Sequence, residues 1–388
     1  MKKLTAYLLI TFAILISGCQ AENNEPEVNE PVDELAEYKV AISSILETKL
    51  KALNEGDFDL YMSTITGEDT YYYNEQKRWY DEMMTPDITN ITLELEELVL
   101  NSETELIATI HQTHSYTEEF DFSYEIVYKL ESGEWKDCGY NFRVSERDGY
   151  TVMYQEDETR ISQFISLFGK AHIVINNSFE EGIDENFKLK LYTDRELFRQ
   201  RTMPSMTWLF TGWGEANESL KVWTGHDFID PYYGTFLHEL VHHVTMKMCN
   251  NNLPGWMADG LALSYGSYVD VGANSIESGD QSVDEVKVTI EWLETADMLT
   301  EDDRTVIDLW YNASGMFVEF LRAEYGEDMI NDMLYLAGEK PYNDRSENPN
   351  FETDNAETQA EVFEAIYGKT KEELQEEYYN WLDVTYGE

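Results

Sequence analysis

The feature that most constrains this chain is His238-Glu239-Leu240-Val241-His242, set in the apolar run Phe236-Leu237-His238-Glu239-Leu240-Val241-His242-His243-Val244. Histidines four apart lie one turn apart on one face of a helix, so two imidazoles can grip one metal ion from the same side. The neighbours predict that helix. Phe236, Leu237, Leu240, Val241, Val244 and Met248 recur at helical spacing and form a stripe that can pack into a core. His238, His242 and Thr245 fall on a different stripe. The chain holds seven histidines, and three of them fall between 238 and 243, so a metal grip outweighs a chance spacing. His243 lies about 100° round the helix from His242 and reads as a packing residue or as a partner behind the ligands.

Zinc at an open site takes three protein ligands and leaves a fourth position free. Two histidines are therefore too few. The next segment, Leu253-Pro254-Gly255-Trp256-Met257-Ala258-Asp259-Gly260-Leu261-Ala262, starts with a Pro-Gly turn that can open a second helix. Asp259 sits in its first turns and is the candidate third ligand. Glu239, beside the first histidine, is placed to take a proton from metal-bound water.

These residues resemble the gluzincins of the peptidase MA-like group, relatives of thermolysin. In that family a helix with the two-histidine motif is followed by a Pro-x-Trp-x-x-Glu-Gly-x-Ala helix whose glutamate is the third zinc ligand. Pro254, Trp256, Gly260 and Ala262 match, while Asp259 stands at the glutamate position. Aspartate is one methylene shorter, so the second helix must sit closer to the metal. Looser likenesses run from Phe187 to Trp381, among them Tyr311-Asn312-Ala313-Ser314-Gly315, Tyr325-Gly326 and Tyr367-Gly368-Lys369-Thr370. The resemblance implies a zinc metallopeptidase of the HExxH type. His238, His242 and Asp259 would hold Zn2+ and Glu239 would be the general base. Tyr311 would stabilise the oxyanion, with Tyr265 as runner-up, and a peptide or protein would be the substrate. Two other readings stay open: a binding protein on a retired peptidase fold, and a zinc amidase acting on cell-wall peptides.

The N-terminus predicts location. Lys2 and Lys3 precede a mostly apolar stretch, Leu4 to Ile16, that is short for a membrane span. Ile16-Ser17-Gly18-Cys19 then resembles the bacterial lipoprotein processing site. Residues 1–19 are accordingly expected to be a signal peptide with lipidation at Cys19. The rest would be held on the extracytoplasmic side of the bacterial cell membrane by that lipid anchor. Residues 20–33, polar and acidic with Pro26 and Pro31, read as a flexible tether. Cys138 and Cys249 are expected to be two separate buried thiols.

Charge narrows the partners. The formal net charge is -50, which repels nucleic acid and anionic lipid. No basic stripe, phosphate-binding glycine loop or dinucleotide fingerprint is present. The acids are spread along the chain, which reads as surface solvation rather than as a cradle for a substrate.

The expected class is α+β in two parts. Residues 34–150 predict helices (Glu37 to Asn54, Phe58 to Ile65, Tyr71 to Met84) followed by alternating strands (Ile91 to Leu95, Thr104 to His114, Phe120 to Leu130, Trp135 to Tyr140). This order resembles the cystatin-like cone of nuclear-transport-factor-two-like proteins. His111 and His114 would point to opposite faces of a strand and make a poor metal pair. Residues 157–388 form the mainly helical zincin-like part with a small β-sheet. Its strands are expected at Ala171 to Ile175, Phe187 to Tyr192 and Leu220 to Trp223, the last as an edge that could pair with an extended peptide. Its helices are expected at Val283 to Leu293, Val306 to Tyr325, Asp328 to Leu336, Glu357 to Tyr367 and Lys371 to Tyr386, with an exposed loop from Gly338 to Asn355.

Overall fold

The computed structural model describes residues 35–155, 158–206, 208–265, 282–296, 298 and 301–387. The expected leader, Cys19 and the tether lie outside them. The fold is mixed α+β: an N-terminal helix-and-sheet unit, then a largely helical region around a second sheet.

In the first unit, α1 (Ala36–Glu55), α2 (Phe58–Met62) and α3 (Thr70–Met83) precede an antiparallel sheet. Asp57 and Asp69 cap α2 and α3, each accepting from a backbone N–H of the first turn. The sheet runs β1 (Thr89–Ser102), β2 (Glu105–Ser115), β3 (Glu119–Glu131), β4 (Glu134–Tyr140) in that spatial order. Strand β2 alternates between buried and half-buried residues along its whole length, the period-2 signature of a one-sided core. Register shifts in β1 and between β3 and β4 bend the sheet around α1. On α1 the buried positions Ile42, Leu46, Lys49 and Leu53 follow helical spacing. Lys49 is a charge in that apolar stripe, and Asp137 on β4 neutralises it at 2.5 Å.

The second sheet takes β5 (Arg143–Arg147) and β6 (Tyr150–Tyr154), so it begins before the boundary at 150 expected from the sequence. It continues with β7 (Phe187–Tyr192), β8 (Gly212–Trp213) and β9 (Leu220–Trp223) in the spatial order β5-β6-β7-β9-β8. Strands β6, β7 and β9 are parallel. Helix α4 (Glu158–Ser178) makes the crossover from β6 to β7, as parallel pairing requires. Helix α5 (Arg195–Thr202) joins β7 to the β8 segment. The remaining helices are α6 (Tyr232–Met248), α7 (Gly255–Tyr265), α8 (Ile290–Thr295), α9 (Arg304–Tyr325), α10 (Glu327–Ala337), α11 (Phe351–Tyr367) and α12 (Lys371–Tyr386).

Four expectations are corrected. Ala171 to Ile175 is helix, not strand. Its β-branched run is overridden because Phe164, Phe168, Ala171, Ile175 and Phe179 recur at helical spacing and are all buried. Strand β9 is not an edge, since the two-residue β8 covers it. The helix expected from Val283 starts only at Ile290, where the Thr289 hydroxyl caps the backbone N–H of Trp292. Phe351 is buried and starts α11 inside the expected loop.

A buried chain of charges joins α3 of the first unit to the second sheet. Glu75 on α3 pairs with Lys190 on β7 at 2.5 Å and lies 3.5 Å from Lys221 on β9. Lys221 reaches Glu218 at 2.8 Å. Arg78 on α3 closes the chain with two bonds of 2.9 Å to Glu218. Burial alone would raise the Glu75 carboxyl, but Lys190 and Lys221 hold it down to about 2. Replacing Glu75 by Gln strands the buried Lys190 ammonium and leaves Lys221 with Glu218 alone. It should cost about 3–5 kcal/mol of stability, read as a lowered urea midpoint.

His114 supplies a second check. Burial, with Arg199 and Arg201 nearby, depresses its imidazole to about 4, against a partial opposing effect of Gln200 and Glu196. The unfolded chain takes up this proton near 6.5, and the folded chain refuses it until about 4. Stability from this group is therefore complete above 6.5 and falls as pH drops from 6.5 to 4. Substituting His114 by Gln should flatten that part of the stability–pH curve, measured by urea unfolding at stepped pH.

Candidate metal centre

Helix α6 forms because its apolar stripe is long and continuous: Phe236, Leu237, Leu240, Val241, Val244 and Met248 are all buried. Phe236 meets Phe168 of α4 edge to face, with ring centroids 5.4 Å apart. This packing fixes the rotation of α6 and leaves His238 and His242 on the side that faces α7.

The connection from α6 to α7, Cys249 to Pro254, centres on three asparagines. Asn250 and Asn251 take positive φ of 49° and 57°, which reverses the chain within a few residues. Their side chains, with Asn252, donate to backbone carbonyls after α10: Asn250 to Gly338 at 2.7 Å, Asn251 to Asn343 at 3.0 Å and Asn252 to Pro341 at 3.0 Å. The turn is thus anchored from outside, and α7 starts in a defined place. Nothing in the metal motif points to these asparagines. The triplet itself, just past an apolar helix, is the signal that could have found them.

Glycine then sets how closely α7 approaches α9. A Cβ on Gly260 would lie 2.5 Å from the carbonyl oxygen of Ser314 and 2.8 Å from Val318 Cγ2. Only glycine lets the two helices meet here, and Asp259 is its neighbour. The shorter reach of aspartate is met in this way by the position of its helix.

The three expected ligands are brought together. His242 Nε2 lies 3.1 Å from His238 Nε2 and 3.2 Å from Asp259 Oδ1, and His238 Nε2 lies 3.5 Å from the same oxygen. For ligands at zinc distances, the edge of a tetrahedron is about 3.3–3.4 Å. The donor triangle therefore matches three corners of a zinc site. Burial would raise the Asp259 carboxyl, but His242 and His238 hold it down to about 2, so it is an anionic donor. His242 Nδ1 is buried without a hydrogen-bond partner. His243 takes no part: it faces away, 3.3 Å from Asp184, which also accepts from Lys247.

Glu239 is buried beside the triangle, and β8 covers it. A Cβ on Gly212 would fall 2.3 Å from Glu239 Oε1, and the carboxylate accepts from the backbone N–H of Gly214. Burial pushes its carboxyl up to about 7, with Asp259 adding to the rise and His238 and Gly214 opposing it. Gly212 of the edge strand and Gly214 just after it were not singled out from sequence, because a Gly-x-Gly in a loop has many uses.

A cavity of about 660 Å³ opens on this group. Tyr311 on α9 lines it, with its hydroxyl held protonated by burial and by the Asp259 and Glu239 charges. Tyr265 is not among the lining residues and stacks instead with Phe179 and under Arg322. Trp208, Phe210, Trp213 and Trp310 give the cavity an aromatic wall, and Glu215, Glu294, Glu352 and Arg345 supply charge. His111 and His114 lie on opposite faces of β2: His111 is half-exposed and bonded to Asp121 at 2.7 Å, while His114 is buried. Cys138 and Cys249 are free thiols, half-buried and buried.

Comparisons with known proteins bear on the first unit. Residues 44–141 match the family described as anti-sigma-I factor RsgI9, C-terminal domain. No curated protein matches the chain. Among solved structures, an NTF-2-like protein of unknown function from Shewanella oneidensis MR-1 is similar at 13% identity, over 26% of this chain and 93% of that one, with a TM-score of 0.22. The family match overturns the peptidase expectation. An anti-sigma factor is a regulatory protein, and no metallopeptidase, gluzincin or lipoprotein family is found. The expected enzyme class and its peptide substrate are corrected accordingly. The physical reason is that two histidines one turn apart specify a grip on a metal and leave the reaction unspecified. Residues 238–259 lie outside the matched stretch.

The geometry of the site can be tested directly. Gly260→Ala should force α7 from α9 and cost about 1–3 kcal/mol by overpacking, read by urea unfolding. The same variant should bind zinc more weakly than the parent, because Asp259 moves with the helix.

Proposed function

We propose that this chain is a regulatory protein of the anti-sigma kind, with a sigma factor as the target of its regulation, and that its second unit carries one zinc ion as a ligand-sensing centre. The match of residues 44–141 to an anti-sigma factor domain carries the regulatory reading. The triangle of His238, His242 and Asp259, with edges of 3.1–3.5 Å, supports the metal. The first unit, with its helices on a curved antiparallel sheet, is read as an NTF2-like cone. Lipidation at Cys19 would hold the protein at the extracytoplasmic face of the membrane. From that face the chain would act on a sigma factor indirectly; among the described residues no helix is long and apolar enough to cross a membrane.

Bound zinc would supply Lewis acidity at an open fourth position facing the cavity. The chain's own groups do the rest of the recognition. Glu239 and Tyr311 offer a carboxyl and a hydroxyl to whatever ligand enters, and Trp208, Phe210 and Trp310 exclude water around it. The covering strand β8, with Gly212 against Glu239, restricts the approach on that side.

The test is metal content together with turnover. The soluble protein starting after Cys19 should retain about one zinc per chain after dialysis against metal-free buffer, since three protein donors with an open fourth position make a zinc site. Asp259→Ala should lose it. Cells lacking the protein should change transcription from one promoter class, and Asp259→Ala should reproduce that change. Zinc-dependent digestion of casein that disappears in Glu239→Gln would overturn the regulatory reading. Zinc content near zero that added metal cannot restore would overturn the metal centre.

A further inference from the structure

The interior of the first unit is closed by a residue of the second. Arg201, in the last turn of α5, buries its guanidinium inside the curve of the sheet. It lies over the rings of Tyr124 at 4.7 Å, Trp79 at 4.8 Å and Tyr140 at 4.9 Å. Three aromatic faces around one cation make a cation–π cage. The polar contacts are few. Nη1 donates to the Tyr124 hydroxyl at 3.3 Å and to Gln112 Oε1 at 3.5 Å, and the buried Nε–H has no hydrogen-bond partner.

Among the described residues no carboxylate pairs with Arg201. Asp137, which faces the same interior, is already engaged by Lys49 at 2.5 Å and by the Tyr72 hydroxyl at 2.7 Å. Arg199, two residues back, differs. It also lies over a ring, that of Phe120, but Glu196 neutralises it at 2.8 Å. Arg201 is thus held by aromatic rings and shape rather than by an opposite charge. The fit is close: beside it, between Leu46, Ile110 and Ile126, only about 10 Å³ stays open, at the lower limit for one water. The plug belongs to the other unit, and its neighbour Gln200 also accepts from Trp79 Nε1 at 3.0 Å.

We propose that the interior of the first unit is a guanidinium-binding site, occupied in cis by Arg201, which takes a guanidinium from outside only when α5 withdraws. The cage residues come from α3 and the sheet, so the site belongs to the first unit. The occupant comes from the connection between β7 and β8, so the second unit controls access. This inference stands apart from the metal centre and does not depend on it.

The test is chemical rescue in the full chain. Arg201→Ala removes the plug and leaves the cage. Its Tm should fall, and methylguanidinium at millimolar concentration should restore several degrees in a saturable way. Methylammonium should not, and the parent protein should respond to neither. Equal effects on parent and variant, or no difference between the two cations, would overturn the proposal. If Arg201→Ala does not fold, it is refolded with methylguanidinium or with methylammonium: recovery of folded protein with the first alone is expected, and equal recovery with both, or none with either, would overturn the proposal. The parent protein gives an independent reading. The Arg201 Nε–H proton should resonate upfield of a free arginine through the ring currents of Trp79, Tyr124 and Tyr140 and should exchange slowly with solvent. A resonance at the free-arginine position with fast exchange would refute the caged guanidinium.

Discussion

The two halves of this protein are joined by charges that have no water to fall back on. Glu75, Lys190, Lys221, Glu218 and Arg78 are buried in one continuous chain that runs from α3 to β7 and β9. Each member is tolerable only because the next is present, since an unpaired buried ion costs far more than a pair returns. The consequence is positional. Strands β7 and β9 carry the connections to α5 and α6, so fixing them against α3 fixes both the arginine that enters the first unit and the helix that presents the histidines.

The donor triangle is built by close approach rather than by special residues alone. His238 and His242 need only a helix, but Asp259 needs its own helix at the right distance. Gly260 permits that distance against Ser314, and the Asn250–Asn252 turn sets where α7 begins. On the opposite side Gly212 and Gly214 let the edge strand lie on Glu239. An acid held near neutrality by burial, next to an acid held anionic by two imidazoles, shows how environment separates like groups within one site.

Much of the fold was legible locally. The strands at 187–192 and 220–223 and the helix at 371–386 were read at their observed limits, because short alternating or long amphipathic patterns leave little choice. The failure at Ala171 to Ile175 has a clear cause. A β-branched pentapeptide reads as a strand until its buried neighbours four and seven residues away are counted. The edge assignment of β9 failed because two residues, Gly212 and Trp213, are too short to register as a strand in sequence.

The sequence by itself determined that two imidazoles share a helix face, that a carboxylate follows at workable range, and that the first part is helices before a meander. These properties follow from residue spacing within one element, where geometry is set by the backbone. Only the tertiary structure decided that Asp259 reaches the histidines, that Tyr311 rather than Tyr265 lines the cavity, and that Arg201 fills the interior of the other unit. Those outcomes depend on how separate elements approach, and approach is governed by packing between residues far apart in the chain, which no local pattern records.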